Sequence, residues 1–151
     1  MLTGQKFFIN PNNLTAMQTN LGTIGVWMLR ILAALIMLQT LYFKFSAHPQ
    51  SVALFTELGM EPWGRIGTGV LELIASILIL FPRTTGFGAL LGLGLMSGAI
   101  FFHLTTLGIN FGGDPWLFIY AVITFVCCAL LLTIYRAQVL NLVGIKIHDK
   151  Y

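Results

Sequence analysis

The sequence predicts an all-α integral membrane protein: a four-transmembrane-helix bundle with a short outer interfacial helix and an amphipathic C-terminal segment. Three observations predict it. Of the 151 residues, 57% are hydrophobic and 9% charged, against about 25% charged in soluble domains. The apolar residues gather in four runs, near 21–43, 64–81, 86–108 and 115–135, and about 20 helical residues cross the hydrocarbon core of a bilayer. Only three of the 13 charged residues, Arg30, Arg65 and Glu72, fall inside the runs. In lipid every backbone polar group must be satisfied within the protein, so each run is a helix. One membrane domain, 1–151, is therefore expected. This composition excludes a soluble enzyme and a secreted disulfide protein. A net charge of +3 with no basic face excludes a nucleic-acid partner and leaves the lipid bilayer as the first one.

Residues 1–20 have one lysine, no long apolar core and no A-x-A site. No cleavable signal is expected there, and the first span serves as its own targeting signal. That span, "LGTIGVWMLRILAALIMLQTLYF", is interrupted by Arg30 and Gln39 and followed by Lys44. The loop "PQSVALFTELGMEPWG" places Val52, Phe55 and Leu58 on one helical stripe, with Gly59 as a C-terminal stop and Trp63 as an interfacial anchor. The second span contains Glu72 and is closed by Pro82. The third carries G-x-x-x-G at Gly88–Gly92 and again at Gly94–Gly98, on two faces that suit close packing between neighbours, and His103 near its end. The fourth contains Cys127 and Cys128, which point about 100° apart on a helix and read as buried packing. The last segment, "RAQVLNLVGIKIHDKY", is expected to rest on the membrane face.

Loop charges orient the bundle. Four spans place both termini and the Pro82–Thr85 turn on one side, with Lys6, Arg83, Arg136, Lys146 and Lys150. The positive-inside rule makes that side cytoplasmic, so both termini are expected there.

Ionisable residues inside spans are expensive and are candidates for function. Arg30 lies nine residues from the start of the first run, and Glu72 nine from Phe81, a depth of roughly 13 Å for each. The expectation is an Arg30–Glu72 ion pair, structural or a proton relay. His103 lies about 25 Å from the cytoplasmic end. With Lys44, Tyr42, Arg65 and Asp114 it is expected to ring a pocket near the outer leaflet. One His without a second soft ligand at helical spacing gives no metal site.

The order and spacing of several of these residues resemble the DoxX family of small bacterial membrane proteins over Arg30 to Leu104. The matching elements are Arg30, Lys44, F-x-x-L-G at Phe55–Gly59, Glu72–Leu73, the Pro82-Arg83-Thr84 turn, Met96, Ala99 and His103. The resemblance implies a four-helix membrane bundle in the bacterial inner (cytoplasmic) membrane. It also implies association with quinone-coupled oxidation of sulfur compounds, or with membrane oxidoreductase assemblies in thiol and oxidative-stress defence.

Three functional readings follow. The first is a redox-associated subunit holding a quinone, with Lys44, His103, Tyr42 and Arg65 as binding residues and His103 as the candidate for proton transfer. No intrinsic cofactor is evident, since haem and iron–sulfur ligand patterns are lacking, so electrons come from oxidoreductase partner subunits. The second is an accessory or assembly subunit without catalysis. The third is a small transporter or proton path; four helices without an inverted repeat favour it least, and a homo-oligomer would supply the missing helices.

Overall fold

The computed structural model describes residues 11–142, with side-chain surroundings from Gly22 to Asn141. Six helices follow in order: α1 (Pro11–Phe45), α2 (Pro49–Glu57), α3 (Trp63–Leu80), α4 (Thr85–Phe102), α5 (Trp116–Ile134) and α6 (Arg136–Leu142). No strand occurs among the described residues. Four segments are long and apolar enough to cross a membrane: Gly22–Phe45, Trp63–Leu80, Thr85–Leu107 and Trp116–Ile134. The expected C-terminal segment is described only as far as Leu142, and Lys6, Lys146 and Lys150 lie outside the described residues.

The spanning helices run up, down, up and down. Helices α1 and α4 lie diagonally opposite, and each packs against both α3 and α5. The short connections have local causes. Pro49 opens α2, where its fixed φ and missing N–H cost nothing. Gly59, at φ 66°, ends it: the Gly59 N–H bonds Thr56 O at 2.9 Å and the Met60 N–H bonds Phe55 O at 2.8 Å. This Schellman arrangement satisfies the last carbonyls of the helix. Beyond Pro82 the Thr84 hydroxyl donates to Leu78 O at 2.9 Å and the Thr85 hydroxyl to Phe81 O at 2.9 Å, closing the α3–α4 turn. Gln138 of α6 clasps the same turn, accepting from Gly86 N at 2.8 Å and donating to Pro82 O at 2.7 Å.

The core fills the half of the bundle near this turn. Ala33, Ala75, Ile79, Ala89, Cys128 and Leu131 are buried there with Met37. Close approach rests on Gly88 and Gly92. A Cβ on Gly88 would stand 2.6 Å from Ile79 N and 2.9 Å from Ala75 O, and one on Gly92 would stand 2.8 Å from Cys128 Sγ. Both cysteines are free and buried. At Gly94 and Gly98 an added Cβ meets nothing within 4 Å. Of the two expected packing faces on α4, only Gly88–Gly92 is used, because the helices part beyond it.

An intramembrane cavity beneath helix α2

Where the helices part, they enclose a cavity of about 910 Å³. All four spanning helices line it. Helix α2 roofs it with Leu54, Phe55 and Leu58, and the remaining wall is mostly apolar. Its polar groups sit on facing elements: Thr40 and Lys44 of α1, Thr68 and Glu72 of α3, His103 at the end of α4, and Asp114, Tyr120 and Thr124 on or beside α5.

Lys44 is placed by helix geometry near the α2 end of α1, where a lysine ordinarily extends its ammonium to the interface. Here the side chain turns inward. Its Nζ meets Glu72 Oε2 at 2.6 Å, with the side chains 13% and 8% exposed. It also donates to Thr40 Oγ1 at 3.3 Å, one turn back on the same helix. The Thr40 hydroxyl lies 2.8 Å from Glu72 Oε2 and 2.8 Å from Met37 O, and its single proton serves one of the two. An ammonium has three donors; two are engaged, and the third has no partner among the described residues.

The expected Arg30–Glu72 pair is corrected. Arg30 is 1% exposed; its Nε donates to Ile79 O at 2.8 Å and its Nη2 to Leu80 O. Its guanidinium stacks over Trp27, 4.0 Å from the ring centroid. The cause is register. Arg30 stands opposite the last turn of α3, so Glu72 lies seven to eight residues away along the pair, about 11 Å at the helix rise. Helix α1 continues unbroken past the start of its apolar run, so the edge of that run does not mark the level of Phe81.

The outer ring is corrected in part. Lys44, His103 and Asp114 line the cavity; Tyr42 and Arg65 do not. Tyr42 is 71% exposed and meets only the edge of Phe43 among ring contacts. Arg65 is held by Glu61, with Nη2 to Oε1 at 2.7 Å, and donates from Nη1 to Lys44 O.

His103 begins a π-helical turn, His103–Leu107, ended by Gly108 at φ 76°. Such widened turns recur at functional sites. The ring is 4% exposed, meets the edge of Phe118, and places Nδ1 2.9 Å from Gly108 O. A carbonyl only accepts, so Nδ1 is the donor, and in the neutral form of the ring Nε2 is then an acceptor. Asp114 accepts the Trp116 N–H at Oδ1, 2.9 Å away, which satisfies one of the free donors at the start of α5.

Thr124 was not anticipated. It is 0% exposed, lines the cavity, and is the only described residue whose buried side-chain polar atom has no hydrogen-bond partner. A buried threonine in an apolar helix usually bonds a carbonyl one turn back, so the sequence carries no sign of this orphan. Thr40 was legible: it precedes Lys44 by four residues and shares its face. No group of three or more His, Cys, Asp or Glu side chains among the described residues comes together to hold a metal ion.

The profile of the DoxX-like family matches residues 28–108, from the middle of α1 through the π-helical turn. No curated protein and no solved structure matches the chain.

Proposed function

Because the chain belongs to the DoxX-like family, we propose that it is a redox-associated membrane subunit whose cavity holds a quinone or a similar lipid-soluble small molecule. The observation that carries this reading is the inward turn of Lys44 onto Glu72 at the wall of an apolar cavity. A lysine at a helix end gains hydration by extending outward. Holding it inside places a cation with an open donor where a ligand carbonyl can accept from it.

The cavity suits such a molecule. About 300–1,000 Å³ is typical of small-molecule sites, which combine apolar walls with a few polar groups. Lys44 supplies a donor, the Thr124 hydroxyl an unmet hydrogen bond, and His103 Nε2 an acceptor for a ligand hydroxyl. A quinone would supply reversible two-electron, two-proton chemistry. The residues of this chain bind and orient it, and oxidoreductase partner subunits exchange the electrons.

The reading includes residence in the bacterial inner membrane with both termini cytoplasmic and α2 at the outer face. Charge pairing supports this. Lys44 and Arg65, at the α2 end, are matched by Glu72 and Glu61. At the opposite end Arg83 and Arg136 are exposed, the bias that the positive-inside rule rewards.

Thermal unfolding of the purified protein in detergent tests the proposal. The midpoint is expected to rise with added quinone, by a free energy of about 2.7 kcal/mol at a hundredfold excess over Kd. Lys44→Met should blunt the rise. A midpoint indifferent to quinone would sink the reading.

A further inference from the structure

Glu72 lies nine residues along α3 from Trp63, Thr124 eight along α5 from Trp116, and Gly94 nine along α4 before His103. At the helix rise all three stand about 12–14 Å below the α2 end. All three also line the same cavity. The polar floor of the cavity and the bare stretch of α4 are therefore at one depth.

That bare stretch is an opening. Toward the α3–α4 turn, Gly88 is pressed against the α3 backbone, whereas Gly94 and Gly98 have open space where a Cβ would stand. Leu91, Leu95 and Ala99 of α4 line the cavity while also packing against the core, and Thr68 and Glu72 of α3 line it across from them. Leu90 and Gly94 line the cavity and are also exposed on the outside of the bundle. The cavity reaches the surface again at Gln39, Phe43 and Trp116, but there bulky side chains stand at its mouth. Beside Gly94 and Gly98 nothing stands within 4 Å of where a Cβ would be.

We propose that the gap beside Gly94 and Gly98 is a lateral portal to the bilayer: the ligand's head group rests at the mid-depth floor on Lys44 and Thr124, and its apolar tail leaves sideways between α3 and α4. The glycines alone would say nothing of a ligand. Thr124 does, because a fully buried hydroxyl without a partner, on the wall of the same cavity, is a hydrogen bond awaiting an acceptor or donor. A head group at that level has hydrocarbon directly beside it, so a tail exits there without passing helix α2. The pose rests on the quinone reading above and specifies the ligand class further, as a molecule with a compact polar ring and an alkyl or isoprenoid chain.

Equilibrium binding of two probes in detergent tests it: tetramethyl-benzoquinone and the same ring bearing a decyl chain. Gly94→Phe fills the portal. It should weaken the tailed probe by about tenfold and leave the tail-less one unchanged. Gly98→Leu, which also enters open space, tests the same point in case Gly94→Phe does not fold. Thr124→Val should weaken both probes by about fivefold, the loss of one hydrogen bond. Portal variants that affect both probes equally, or neither, would overturn the lateral exit while leaving the quinone reading intact. Wild-type protein that binds neither probe would remove the reading itself, and the portal with it.

Discussion

The Lys44–Glu72 contact is where residue chemistry and site coincide. Two opposite charges at 2.6 Å away from bulk water attract strongly, yet each loses hydration, and the net value of such pairs is commonly small. What is large is the cost of removing one partner. Lys44→Met leaves a buried carboxylate at mid-depth with only Thr40 to bond it. Glu72→Gln is milder, because the freed ammonium can swing out to the interface. A double-mutant cycle on unfolding free energy should therefore show Lys44→Met as the worse single change. The pair should show a coupling of at least about 1 kcal/mol; additive changes would mean that the pair contributes nothing. At this scale the sequence singled out Lys44, Glu72 and His103, which line the cavity, but paired Glu72 with Arg30 instead of Lys44. Lys44, Glu72 and His103 stood out because charge in a span is rare, whereas Arg30 was matched to Glu72 from the edges of apolar runs, which helix α1 does not respect.

At the scale of elements, Arg30 and Arg65 do the same thing at opposite ends of one helix pair. Arg30 of α1 donates to the last carbonyls of α3, and Arg65 of α3 donates to Lys44 O in the last turn of α1. Those carbonyls lack intrahelical donors and carry the negative end of the helix dipole. Two antiparallel helices thereby cap each other, and the register of Lys44 against Glu72 is fixed between the caps. Arg30→Gln should lower stability by roughly 2–4 kcal/mol, the scale of charged hydrogen bonds to buried acceptors, measured by unfolding in detergent. Arg30→Lys should recover only part, since one ammonium cannot reproduce the planar fork. Equal stability of wild type and Arg30→Gln would remove the capping role. The four long helices and the glycine stop of α2 were legible, because apolar runs and turn residues are local signals. The π-helical turn at His103 and the different uses of Gly88–Gly92 and Gly94–Gly98 were not, since both glycine pairs read alike until a neighbouring helix is placed beside one and absent beside the other.

The molecule as a whole is a bundle packed at one end and hollow at the other. Near the α3–α4 turn, small residues bring backbones together around Ile79, Cys128 and Leu131; toward α2 the same helices diverge around a cavity of about 910 Å³. Composition announced the membrane and the helices. It could not announce the hollow, because the stretches that line it are as apolar as those that fill the core. Nor could it reveal Thr124, whose significance is the lack of a partner in three dimensions. The central claim is that this hollow takes a quinone-type molecule through Lys44. Native mass spectrometry of the protein released from gentle detergent tests it most directly, on wild type and Lys44→Met prepared side by side. A quinone-mass adduct is expected on the wild type and is expected to be lost or sharply reduced in Lys44→Met. No small-molecule adduct on the wild type, or the same adduct on both proteins, would contradict it.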